Sequence, residues 1–369
     1  MSGKRKKKKI RGRIIFGIEL AIIILLSGGL FVFAKLNEKL NKIQEVPVDL
    51  NNVDVNEGLS HEGQNSGYRT IAVVGVDSRD ESEEGGNSDT MMLVVLNDDD
   101  KTIKIVSLYR DTYLNTGNDT YTKSNDAYNR GGAERFLSML NQNMDLNITD
   151  FVTVDFSAII DVIDHLGGIE MNLTADEVVM MNDYCEGTSE ITGKEYVKIE
   201  PEVEGTYELS GIQATSYMRI RYGEGLEFRR TLRQRAVLYK MLEKLKAADL
   251  PTLYDMLDDV LGDVYTNISK QDIVKLGLSV RGYQIDGTEG FPFDHKWGAN
   301  VKDRMGGLDC IVPVTLLNNV EKLHAFFYPD LEYIPTETVK EYSQYISDMS
   351  GYTEADIPSS SEHGGEMPS

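Results

Sequence analysis

Residues 219–235 read Arg219-Ile-Arg221-Tyr-Gly-Glu-Gly-Leu-Glu-Phe-Arg229-Arg230-Thr-Leu-Arg233-Gln234-Arg235, with six arginines in seventeen positions. Two periodicities meet in this stretch. Up to Tyr222 the arginines alternate with apolar residues, which predicts an extended segment with Arg219 and Arg221 on one face. From Phe228 the spacing becomes helical. Leu238, Met241, Leu242 and Leu245 recur at i, i+3, i+4 and i+7, and Arg230 and Gln234 continue that apolar stripe toward the N-terminus. The chain therefore has to fold with a guanidinium and an amide on an inward helix face, whereas Arg235 falls off it. An inward cation needs an anionic partner, and the planar fork of arginine suits phosphate oxygens. The plainer alternative is an arginine face that is solvated or paired with the chain's own acids.

Those acids are abundant: 60 Asp and Glu stand against 38 Lys and Arg, a net charge of −22. The first thirteen residues, MSGKRKKKKIRGR, hold basic residues and no acid, so the remainder is more acidic still. A surface of that sign excludes duplex nucleic acid as a partner, because neutralising phosphates needs a broad basic footprint. The basic tail belongs instead with residues 14–34, which are apolar except for Glu19 and long enough to span a hydrocarbon core. Basic residues ahead of a span predict a cytoplasmic N-terminus, a single-pass anchor and an extracellular remainder. A cleaved signal peptide fits less well, since the apolar run is long and no small-residue cleavage site follows.

The expected organisation is a tail at 1–13, a transmembrane helix at 14–34 and a polar stalk at 35–67. A catalytic domain at 68–331 and an acidic, largely disordered tail at 332–369 complete it. Strands are expected at 70–76, 90–97, 103–109, 151–156 and 168–173. Helices are expected at 133–144, 157–166, 175–184, 229–248, 252–261, 271–280 and 314–325. The interleaving predicts an α/β fold with a mixed central sheet flanked by helices. Cys185 and Cys310 are compatible with one disulfide or with two separate buried thiols, and neither has metal-ligand spacing. His165, at a predicted helix end, reads as a capping residue. Apolar residues around Phe136, Phe151, Phe156, Ile160 and Val237 suit either an ordinary core or the lining of a lipid tunnel.

If the first three strands form an antiparallel meander, strand one ends at Asp77, strand two begins after Asp89 and strand three finishes at Arg110-Asp111, all at one sheet end. Two carboxylates beside an arginine suit a magnesium-bridged phosphate: hard oxygen ligands for the ion and a fork for the anion.

Together these segments resemble the LytR-CpsA-Psr family of envelope proteins. The matching positions are Gly75-Val-Asp77-Ser-Arg79, Ser88-Asp89-Thr90, Ser107-Leu-Tyr-Arg110-Asp111-Thr112, Asp164-His-Leu-Gly167-Gly168-Ile169, Leu209-Ser-Gly211 and Arg219-x-Arg221 through Phe228-x-Arg230-x-x-Arg233-Gln234. The resemblance covers about residues 68–245, with a looser continuation to about 331. It implies a ligase that moves an anionic glycopolymer, of teichoic acid or capsular type, from a polyprenyl diphosphate carrier to a peptidoglycan hydroxyl at a Gram-positive type cell surface. Asp77 and Asp89 then match the acids associated with Mg²⁺ (or Mn²⁺). Arg79, Arg110, Arg219, Arg221, Arg230, Arg233 and Gln234 match the diphosphate-binding set, with Asp77, Asp89, Arg110 and Arg219 as the catalytic group and Asp111 and Glu227 as supporting acids. Two positions depart from the family pattern: Glu227 stands where Asp is usual, and Tyr109 where proline is common. A non-catalytic receptor for a phosphorylated lipid or polymer is the alternative reading, and a polyprenyl-diphosphate hydrolase a third.

Overall fold

The computed structural model describes residues 37–59, 67–76, 88–221 and 226–357. The chain divides into two units at Ile43; of the first, the described part holds one short helical turn at 37–40. In the second unit the strands are β1 (Gln44–Glu45), β2 (Tyr68–Val76), β3 (Ser88–Asn97), β4 (Thr102–Leu108), β5 (Tyr113–Asn115), β6 (Tyr121–Lys123), β7 (Asp150–Asp155), β8 (Ile169–Leu173), β9 (Gly205–Leu209), β10 (Val264–Thr266), β11 (Gln284–Phe291), β12 (His295–Trp297) and β13 (Ile311–Pro313). The helices are α1 (Asn125–Met144), α2 (Phe156–His165), α3 (Ala175–Thr192), α4 (Gly211–Arg219), α5 (Leu226–Ala247), α6 (Leu250–Val260), α7 (Lys270–Ser279), α8 (Leu316–Phe327) and α9 (Glu337–Ser350). α1 is interrupted at Gly131 and Gly132, which is why helical periodicity in the sequence starts only at Ala133.

The central sheet runs β1-β10-β7-β2-β3-β4-β11. β2, β3 and β4 form the expected antiparallel meander, and β7 and β11 join it in parallel with β2 and β4. Alternation along β2 sorts the core. Ala72 and Val74 face α1, α8 and α9 in one cluster; Ile71 and Val73 face α5 and α7 in another. A third cluster joins α2, α3 and α4 to the β8–β9 ribbon and to Ala236 and Val237 of α5. The mixed sheet between helical layers is as the sequence predicts.

Three expectations need correction. The stretch read as a stalk enters the fold from Gln44: β1 pairs with β10, Val53 is buried in the main core, and Asn56 is held by Asp145. The stretch read as a disordered tail contains α9, which buries Val339 and Ile346 in that same core. Both were read as polar because burial rests on a few apolar residues among many charges. Finally, residues 211–219 are helical. The Ser210–Gln213 capping box starts α4, and Arg219 is its last residue, so Arg219 is not part of an extended segment. The predicted span at 14–34 lies outside the described residues, as do the last twelve positions. Among the described residues no helix is long and apolar enough to cross a membrane. Cys185 and Cys310 are free and buried in different clusters.

Candidate functional site

The strand ends predicted to meet at one end of the sheet do so. Val76 pairs with Ser88 and Met91 with Leu108, so the C-terminal ends of β2 and β4 flank the start of β3. The register shifts between Gly75, opposite Thr90, and Val76, opposite Ser88. The backbone of Asp89 is therefore the extra residue of a bulge. Asp77 and Arg79 lie outside the described residues, and so do the side chains of Asp89 and Glu227.

Beneath this end, between the sheet and α5, is a cavity of about 330 Å³. Its lining changes character along β2, β3 and α5. Gly75, Thr90, Arg110, Arg219, Arg221, Arg230 and Gln234 mark one part; Val73, Met92, Val154, Ile159, Val237, Leu238 and Met241 mark the other. α5 supplies both: Arg230 and Gln234 come one to three turns before Val237, Leu238 and Met241 along the same inward stripe, as the helical spacing requires. Arg230 is 2% exposed and Gln234 6%. The buried Oε1 of Gln234 accepts no hydrogen bond among the described residues.

Arg219 reaches the same cavity from the end of α4, and Arg221 from two residues on, with Ile220 fully buried between them. Their convergence is thus as expected, but a helix end produces it. The Arg219 guanidinium lies over the Phe156 ring, 5.1 Å from its centroid, and Nη1 donates to Thr188 Oγ1 at 2.8 Å. Ser216 Oγ also donates to Thr188 Oγ1, which itself donates to the Tyr184 carbonyl. The hydroxyl is thereby locked in place. No sequence signal marked Thr188 or Ser216. Phe156 and Val237 line the cavity, whereas Phe136, Phe151 and Ile160 are core residues.

Other expected site residues are held apart from the cavity lining. Arg233 Nε bonds Glu177 at 3.1 Å, and its guanidinium lies 5.6 Å from the Tyr217 centroid. Asp111 pairs with Lys123 at 3.0 Å. Arg235 is off the cavity, as its position off the stripe requires, yet it is buried. Burial lowers its pKa, against the opposing influence of Tyr109 and Glu289. Tyr109 itself, pushed up to about 12 by burial, sits edge-on to Phe228 with centroids 4.8 Å apart. Its N–H donates to the Phe291 carbonyl at 3.0 Å, a bond that proline cannot make. Elsewhere, burial and then the carboxylates of Asp155 and Asp161 push Asp263 up to about 6. His165 ends α2 and meets Asp259 at 2.8 Å.

Among the described residues no group of three or more His, Cys, Asp or Glu side chains is placed to hold a metal ion. The candidate ion ligands are Asp77, the residue that follows β2 in the chain, and Asp89, the second residue of β3. That donor chemistry fits a hard divalent cation.

Comparison with known proteins bears on all of this. The model of the LytR_cpsA_psr family matches residues 30–306. The polyisoprenyl-teichoic acid–peptidoglycan teichoic acid transferase TagT of Bacillus subtilis is 26% identical over 284 residues, covering 74% of this chain and 83% of that protein. Biofilm regulatory protein A of Streptococcus mutans is 32% identical over 247 residues, covering 61% of this chain and 58% of its own. Among solved structures, TagV of B. subtilis superposes with a TM-score of 0.54 at 25% identity, over 73% of this chain and 98% of that one.

Proposed function

The chain belongs to the LytR_cpsA_psr family, and from that premise we propose that it is a membrane-anchored phosphotransferase. It moves an anionic glycopolymer from a polyprenyl diphosphate to a peptidoglycan hydroxyl outside the cell. The observation that carries this reading is the graded cavity, with four arginines and a glutamine amide at one part and an apolar lining at the other. A diphosphate with a lipid tail has the same gradient. The name of the transferase relative supports the reaction class.

In the reaction, the acceptor hydroxyl oxygen attacks the glycan-side phosphorus and the P–O bond to the lipid phosphate breaks. The products are a glycan phosphodiester and a lipid monophosphate, and the hydroxyl proton passes to a carboxylate or to solvent. Arg110, Arg219, Arg221 and Arg230 hold the phosphate oxygens and stabilise the charge that gathers on the leaving phosphate. Gln234 turns its amide N–H toward the same oxygens. Asp77 and Asp89 would hold Mg²⁺, which supplies charge neutralisation at the diphosphate. The lipid occupies the side lined by Val73, Val237 and Met241.

The name of the biofilm relative keeps a receptor role as the second reading, although it spans only part of that protein. Transfer by the full chain from a lipid-diphosphate glycan to peptidoglycan decides between them. Wild type is expected to be active with Mg²⁺ and inactive in EDTA. Arg230→Ala should lose on the order of 2–4 kcal/mol of transition-state stabilisation, and Arg230→Lys should recover only part of it. Binding of the lipid without any transfer would favour the receptor.

A further inference from the structure

Arg110 and Arg230 reach the cavity from different elements, one just past the end of β4 and the other early in α5. Three aromatic rings tie those elements together. Tyr109, directly before Arg110, sits edge-on to Phe228, two residues before Arg230, with centroids 4.8 Å apart. The His295 ring of β12 stacks on Phe228 at 4.4 Å and meets Tyr109 edge-on at 5.7 Å. The rings are themselves held. A Cβ on Gly290 would come within 2.1 Å of the Tyr109 hydroxyl, so the phenol uses the space of a side chain that glycine lacks. His295 Nδ1–H donates to the Pro292 carbonyl at 3.0 Å. β12 pairs with β13, where the Ile311 N–H donates to the Asp111 carbonyl at 2.8 Å. The rings are not part of the cavity lining; they act on it through the backbone.

Helix geometry converts this contact into aim. Residues two apart on a helix point about 200° apart, so Phe228 rests on the rings while Arg230 faces the cavity from the opposite side of α5. Seven residues return to nearly the same face, and there Arg235 is buried beside the same Tyr109. Rotation of α5 about its axis would lift Phe228 off the rings and turn Arg230 out of the cavity. A diphosphate carries two anionic groups at a fixed separation, so gripping it depends on the spacing of the guanidinium groups. A single phosphate demands no such match. We propose that His295 is a positioning residue: through Phe228 and Tyr109 it fixes the spacing of Arg110 and Arg230, and so favours the diphosphate donor over the monophosphate product. This rests on the transfer reading and adds the device that spaces its arginines.

The test compares two lipids that differ by one phosphate. Full-length protein in detergent is titrated with geranylgeranyl diphosphate and with geranylgeranyl monophosphate, and thermal midpoints are measured alongside. Wild type is expected to prefer the diphosphate. His295→Ala should weaken diphosphate binding about ten-fold, equivalent to about 1.4 kcal/mol, while monophosphate binding stays within about two-fold. His295→Phe, which keeps a stacked ring, should recover most of the loss. A purely structural role would lower the midpoint and weaken both lipids alike. That outcome overturns the proposal, as does a wild type without preference or a preference unchanged in His295→Ala. If His295→Ala does not fold, Phe228→Leu makes the same comparison, keeping most of the apolar volume and removing the ring. A wild type that binds neither lipid sinks the transfer reading and the spacing role with it, so the wild-type titration alone tells the two failures apart.

Discussion

Position along α5 assigns different tasks to chemically identical side chains. Arg230 lines the cavity, Arg233 is tied to Glu177, and Arg235 is buried beside Tyr109 and Glu289. Only the first follows the apolar stripe, and the stripe is readable without a structure. Burial of Arg235 was not readable, so Arg235→Ala is a poor neutral control for binding studies. Thr188 shows the opposite case, a residue with no signal that nonetheless orients a cavity arginine. Thr188→Val keeps the shape and removes the acceptor for Arg219, at a cost of about 1–3 kcal/mol. The expected result is a drop in kcat/KM of roughly ten- to hundred-fold with restoration by Thr188→Ser. Wild-type kinetics in the valine variant would show that Arg219 is positioned by other means.

Among elements, α4 is the one whose placement matters most and whose outline the sequence hid. Its capping box, Ser210 with Gln213, is a legible start signal, but the short Arg-Ile-Arg alternation read as strand. Three residues are too few to separate period 2 from a helix end followed by one extended residue. The start of α4 is fixed by Gly211. A Cβ there would come within 2.2 Å of the Ile160 carbonyl oxygen on α2, and the Gly211 N–H donates to Asp164 at 2.6 Å. Because the obstacle is backbone, the two helices must separate to admit a methyl group. Gly211→Ala should therefore destabilise by about 1–3 kcal/mol, read as a lowered thermal midpoint, and should reduce diphosphate affinity because Arg219 rides on α4. An unchanged midpoint would mean that the crossing is softer than its geometry implies.

At the scale of the molecule, Asp145 joins parts that are distant in sequence. Its fully buried carboxylate accepts from Asn56 at 2.6 Å, from the Tyr333 hydroxyl at 2.6 Å, and from the Thr336 N–H at 2.9 Å and hydroxyl at 2.6 Å. Thr336 is also the N-cap of α9. Truncation after Ile334 would remove α9 and two of these donor groups, leaving a buried charge partly unsatisfied, a change that costs about 3–5 kcal/mol when a buried partner is lost. Thermal unfolding should shift down by many degrees, and amide exchange at residues 53–56 should speed up although they lie far away in sequence. Unaltered exchange there would show that the two ends are stabilised independently.

The sequence by itself determined the meander, the sheet end at which its strand termini meet, the inward stripe of α5 and the family. Each follows from local periodicity, which side-chain geometry imposes on a strand or helix wherever it sits. The tertiary structure alone decided that Arg219 enters from a helix end, that Thr188 locks it, that Arg233 pairs with Glu177, and that Val53, Val339 and Ile346 belong to the core. These outcomes depend on which surfaces meet across tens or hundreds of residues. Asn56, Asp145 and Thr336 carry no mark in the chain that they share one carboxylate; the packing of α1 and α9 brings them together.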